Sequence, residues 1–136
     1  NYEYCIANPQ GYAGYSENSW GLTASDNNNG YSAHSPTNDL GIITPTAALS
    51  SFPYTPTESR QALEYFYYTL NENLWGDYGF YDAFSEHFNW YADGYLAIDQ
   101  GPIVAMIENY RTQLLWSLFM QDQQIQDGLT KLGFTY

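Results

Sequence analysis

The sequence has 136 residues, enough for one domain with a core of its own, and 44% of them are hydrophobic and 19% aromatic. Its 15 carboxylates face only Arg60, Arg111 and Lys131, for a net charge of −12. That balance excludes nucleic-acid binding, which needs cations to neutralise phosphates, and disfavours anionic membranes and phosphorylated substrates. A neutral, hydroxyl-rich ligand suits the chain better, because aromatic faces and carboxylate acceptors both hold sugars. Cys5 is the single cysteine, so no internal disulfide or thiolate metal site is available. His34 and His87 stand far apart, and no metal or cofactor is expected. No apolar run reaches the ~18 residues that span a bilayer, so no membrane insertion is expected. The start carries neither methionine nor a signal peptide and reads as a cut into a longer chain.

In chain order, residues 1–55 show no sustained helical or strand period and are rich in Asn, Ser, Gly, Tyr and Pro. Tyr12, Tyr15, Trp20 and Tyr31 weigh against disorder, so this region is expected to be an ordered, loop-rich layer. A short helix is predicted to start at Thr44, with Pro45 at its first position, and to stop before Pro53. Thr55-Pro56-Thr57-Glu58 reads as a capping box. Behind it Ala62, Leu63, Phe66, Tyr67 and Leu70 recur at helical spacing, which predicts a helix from about Pro56 to about Asn73.

Leu74 to Leu96 is turn-rich and aromatic. Gly101-Pro102 is then expected to open a third helix, apolar on most sides through Leu118. A fourth is predicted after Asp122, carrying Ile125, Leu129 and Leu132 and ending at Gly133. The balance is mainly α, with a helical region at 56–136. Apolar helix faces on several sides, beside so much loop, do not close a core, so a fragment of a larger domain is expected.

Four sets of polar residues invite a chemical reading. Asp99 lies just before Gly101-Pro102, where free amides and the helix dipole are expected to lower its pKa and suit it as a base for water. Glu108, inside the third helix, reads as a sugar ligand or a carboxyl group of raised pKa, unless Arg111 pairs with it as an architectural ion pair. Asp82, within Tyr78-Gly79-Phe80-Tyr81-Asp82, combines a carboxylate with aromatic faces in the way a glucose ring is gripped, or serves as a turn former. Trp20 and Asp26 repeat that combination in the loop region. No Gly-x-Ser-x-Gly elbow, phosphate-binding glycine loop or supported Cys–His pair is present, which leaves acid/base work by carboxylates.

Several long segments carry a resemblance. They are Trp20–Asp26 (WGLTASD), Gly30-Tyr31 with Ala33–Pro36, Pro45–Ser50 (PTAALS), Pro53–Pro56, Leu74–Phe84 (LWGDYGFYDAF), Leu96–Pro102 (LAIDQGP), Met106–Thr112 (MIENYRT), Leu114–Trp116 and Gly128–Phe134. Taken in order, they resemble the C-terminal region of the glucoamylase-like glycoside hydrolases. That family includes bacterial endo-β-1,2-glucanases and sophorose-acting enzymes, and similar domains occur in cyclic β-1,2-glucan synthases. Gln113 departs from the pattern, in which a small residue often follows Arg-Thr.

The resemblance implies that residues 1–136 are the C-terminal portion of a single catalytic domain, an (α/α)6 toroid with long irregular cleft loops. It implies hydrolysis of a β-1,2-glucan or related gluco-oligosaccharide by two carboxyl groups, with inversion expected, in a periplasmic or secreted bacterial protein. Asp99 and Glu108 are then the catalytic candidates, with Asp99 as base, and Trp20, Asp26, Tyr78, Asp82 and Gln100 are expected to contact sugar. The general acid is expected on the absent N-terminal half, which would also be the partner of this piece if the piece does not self-associate. An exo-acting α-glucosidase and a non-catalytic carbohydrate-binding remnant are the alternatives.

Overall fold

Prolines set the start of two helices in the computed structural model, which describes residues 1–135. Pro45 opens α2 (Pro45–Leu49) and Pro56 opens α3 (Pro56–Glu64), at positions where an amide hydrogen would lack an intrahelical partner. The capping box expected at Thr55 does not form. Its hydroxyl lies 3.2 Å from the Ser51 carbonyl oxygen and 3.0 Å from the Ser59 hydroxyl, tying the end of α2 to α3. As predicted, the helical path continues to Asn73, through a wide π turn (Tyr65–Leu70) and a 3-10 turn (Asn71–Asn73). Phe66 and Leu70 stay in the core along it, while Tyr68 faces solvent.

The loop-rich region holds two small elements too short to leave a period in the sequence. A first helix, α1, spans Tyr2–Ala7, and β1 (Ala24–Asn27) pairs antiparallel with β2 (Gly30–Ala33) across the Asn28-Asn29 loop. Gly21, at φ 129°, leads into this hairpin and accepts a 2.9 Å bond from the Thr44 amide. A Cβ there would stand 2.9 Å from the Thr44 oxygen, so the approach to α2 requires glycine. The aromatic segment folds into two further hairpins, β3 (Trp75–Gly76) with β4 (Gly79–Phe80) and β5 (Phe84–Ser85) with β6 (Trp90–Tyr91). Ile43 and Phe84 exchange two 2.9 Å backbone bonds, which dock the last hairpin beside α2.

The third long helix starts earlier than its sequence suggests. Leu96 is extended (φ −103°, ψ 121°), and α4 (Ala97–Thr112) begins directly after it, with Pro102 inside rather than at the first turn. It ends where Gln113 adopts φ 58°, and α5 (Leu114–Phe119) begins anew, so the stripe expected to run through Leu118 is split between two helices. Asn109 makes the break possible. Fully buried, it accepts from the Gln113 amide at 2.7 Å through its backbone oxygen and from the Trp116 amide at 3.0 Å through Oδ1. The last helix, α6 (Gln123–Lys131), is capped by Asp122, whose Oδ1 accepts from the Gln124 amide at 2.8 Å.

Phe66 sits at the centre of the core, edge-on to Phe80 at 6.1 Å and Phe84 at 5.5 Å. Ile43, Leu49, Leu74, Trp20 and Ile103 close around it. The chain is mainly α, as expected, and its helices divide into two classes. The core is covered by α1, α2, α3 and α4, each with at least one buried residue, whereas α5 and α6 bury none. No helix among the described residues is long and apolar enough to cross a membrane.

Candidate active site

Between the β1–β2 hairpin, α2 and the start of α4 lies a cavity of about 400 Å³, lined in part by Thr23, Tyr31, Thr46, Ser50, Asp99 and Pro102. Asp99 reaches it from the first turn of α4 and is 7% exposed. Behind Asp99 stands Asp82, on the segment between β4 and β5, at 1% exposure. Two backbone bonds fix it: its own amide donates to the Gly94 oxygen at 3.1 Å, and its Oδ2 accepts from the Asp26 amide at 2.7 Å.

The two carboxyl groups are close enough for each to act directly on the other's titration. Asp82 Oδ1 and Asp99 Oδ2 are both shut off from solvent, and neither has a hydrogen-bond partner among the described residues. Two ionised oxygens so placed would be unsatisfied acceptors, and one shared proton satisfies both. Asp82 is pushed up to about 6, first by burial and further by the bond to Asp99, against the opposing pull of the Asp26 amide. Burial also raises Asp99, although its bond to Asp82 favours the ionised form. The lowering expected from the helix start is therefore reversed: at this depth desolvation outweighs the dipole.

Around the pair, burial raises the pKa of Asp26, with the charges of Asp82 and Asp93 adding to the shift. Burial lowers that of His34, which sits 3% exposed next to Ser25. Among the described residues no arginine or lysine acts on either carboxyl group, and only His34 pulls Asp82 downward by charge. Thr46 Oγ1, on the cavity wall, is also buried without a partner. The cavity thus presents, in Asp99, a carboxyl group with unused hydrogen-bonding capacity, a setting suited to water or a sugar hydroxyl.

The other predicted residues are dispersed. Trp20 is 1% exposed, with Tyr2 edge-on at 5.3 Å, so it is a core side chain rather than the stacking platform expected. Asp82 lies too deep for the sugar contact expected of it. Gln100 turns away from the cavity and donates from Nε2 to the Phe80 oxygen at 2.7 Å, tying β4 to α4. Asp26 is half-buried and offers its backbone amide to the pair. Tyr78 is 79% exposed beside Tyr95 at 5.5 Å and keeps an open ring face.

Glu108 is set apart from Asp99. Nine residues on a helix place it ~14 Å further along the axis and half a turn around. There it accepts from Arg111 Nη1 and from the Thr112 hydroxyl, each at 3.0 Å, the ion pair read as the architectural option. Sequence reasoning passed over Thr46; its place directly after Pro45 in the PTAALS segment was the available signal.

Comparison with known proteins follows the same outline. The Glycoamylase family model, described as "Putative glucoamylase", matches residues 1–123. An exo β-1,2-glucooligosaccharide sophorohydrolase (non-reducing end) of Parabacteroides distasonis is 48% identical over 97% of this chain and 19% of its own length. A Bacteroides uniformis protein of the same glucoamylase description superposes with a TM-score of 0.96 at 64% identity, covering 99% of this chain and 33% of that one. An endo-β-1,2-glucanase of Chitinophaga pinensis, solved with sophorotriose and glucose, gives 0.92 at 59% identity over 97% of this chain and 32% of that one. The chain therefore spans a third or less of the length of these relatives. The match over residues 1–123 and the shared fold lead to one conclusion: the chain belongs to the Glycoamylase family.

Proposed function

We propose that the protein to which this chain belongs is a glycoside hydrolase acting on β-1,2-glucans or sophorose-like oligosaccharides, and that this chain supplies a wall of its cleft together with the water-activating carboxylate, Asp99. Two relatives whose names specify β-1,2-glucans support the substrate class. The observation that carries the assignment within the chain is Asp99 itself: a buried carboxyl group on a cavity wall with no cation to neutralise it.

In the proposed reaction Asp99 takes a proton from water, and the water oxygen bonds to the anomeric carbon as the glycosidic C–O bond breaks. An acid elsewhere protonates the departing sugar oxygen. Carboxyl spacing argues that neither Asp82 nor Glu108 is this acid. Glycosidase pairs stand ~5–9.5 Å apart. Asp82 acts on Asp99 at the short range of a side-chain contact, closer than that range, and Glu108 lies ~14 Å along the helix, beyond it. The remaining length of such a protein would also cover Leu114, Leu115, Trp116, Leu118 and Phe119, which are 41–57% exposed.

An Asp99→Asn variant of the full-length protein tests the reading: turnover of β-1,2-glucan is lost while the fold is kept, and undiminished turnover removes Asp99 from the mechanism. A panel of β-1,2-glucan and maltooligosaccharides separates this specificity from that of an α-glucosidase. The missing second carboxyl group favours one other reading, that the chain alone binds glucan without cleaving it; calorimetry on the chain decides that.

A further inference from the structure

The cavity shows one of the two coupled carboxyl groups and hides the other. Asp99 Oδ2 is buried without a partner, while Oδ1 has no hydrogen bond and is not shut off from solvent, so it is the oxygen left to the cavity. Asp82 does not line the cavity; its Oδ2 accepts from the Asp26 amide, and its Oδ1 is buried without a partner in a side chain on which Asp99 acts directly. A residue so enclosed acts through its neighbour.

Building on the function proposed above, we propose that Asp82 is a positioning residue kept in its protonated form, donating from Oδ1 to Asp99 Oδ2 and so holding Asp99 ionised with Oδ1 presented to the cavity. The surroundings select this arrangement. The Asp26 amide occupies Oδ2 of Asp82, so the proton is left on Oδ1. Every charged neighbour of known effect is negative or, for His34, held toward its neutral form by burial. Asp26 acts on Asp99 from β1, and among the described residues no arginine or lysine stabilises a second negative charge, which only the buried His34 favours at Asp82. With one proton between them, one buried carboxylate is ionised, its inner oxygen is satisfied and its rotation is restricted. If Asp82 ionised as well, both inner oxygens would be orphaned and Asp99 would lose the contact that orients it.

Two measurements on the full-length protein test this. Carbon-13 titration of the aspartate carboxyl groups, which does not depend on any substrate, is expected to show Asp82 protonated up to about pH 6, the higher step of a coupled pair, with Asp99 ionising below it. Asp82 ionised throughout pH 4–7 overturns the proposal. In kinetics, Asp82→Ala lowers kcat by ~10²-fold through misplacement of the base, and Asp82→Asn, whose amide also donates toward Asp99 and accepts from Asp26, rescues kcat to within about threefold of wild type. An Asn variant as impaired as the Ala variant overturns it too, because Asp82 would then be needed as a charge. A wild-type protein that leaves β-1,2-glucans intact defeats the proposed function alone, since the titration stands independently of it.

Discussion

The two ends of α4 carry the same kind of side chain and differ in almost everything else. At the first turn Asp99 is buried, coupled to Asp82 and free of any cation. Near the last turn Glu108 has a side chain 37% exposed, bonded to Arg111 and Thr112. One carboxyl group has had its pKa raised by loss of water; the other is held in an ordinary surface network. A carboxylate becomes a candidate for chemistry through what is withheld from it, here solvent and a counter-ion, more than through its place on a helix.

The comparison predicts a steep ranking of variants. Asp99→Asn is expected to lower kcat on β-1,2-glucan by ~10²–10⁴-fold, the usual contribution of a general base, with unchanged circular dichroism. Should Glu108→Gln cost as much, the contrast between the two ends fails.

The next effect is on stability and its pH dependence. A carboxyl group whose pKa is raised on folding contributes stability that is fully present below its unfolded value of ~4 and lost as pH rises through its folded value, near 6 for Asp82. From pH 4 to 7 the wild type should therefore lose roughly 2–3 kcal/mol relative to Asp82→Asn, measured by urea unfolding at each pH. A parallel pair of curves would show that Asp82 is not raised.

At the other end of the helix, Asn109→Ala leaves the Trp116 amide without its acceptor and opens a small void, and is expected to cost about 1–3 kcal/mol in the same assay. It should act on the junction of α4 with α5 and leave the carboxyl titration unmoved. The smallest effect belongs to Glu108→Gln. Loss of an exposed ion pair is worth about 0.5 kcal/mol or less, and kcat should stay within about twofold of wild type.

Local features were legible in the sequence. Pro45 and Pro56 marked helix starts, a helix was expected after Asp122, and Glu108 and Arg111 were paired by their spacing. Each depends on neighbours within about one helical turn. The ordered segments shared with the glucoamylase-like hydrolases were legible too, and the family match over residues 1–123 agrees with them. The helix periodicity also held α3 to its full path despite its π turn, because the buried positions Ala62, Phe66 and Leu70 survive the change of register.

Tertiary structure alone decided the chemistry at Asp99. From the sequence it was a helix-start acid with a lowered pKa; burial under the segments that fold over it, with the charge of Asp26 on β1 adding to it, turned that shift upward against the opposing pull of Asp82. Trp20 and Asp82 likewise moved from expected sugar contacts into the interior, and Gln100 to a tie between α4 and β4. The physical reason is common to all of them. Hydrogen bonding along a helix is set by residues near in sequence, whereas desolvation and charge coupling are set by whichever distant segments fold over a side chain and exclude water from it.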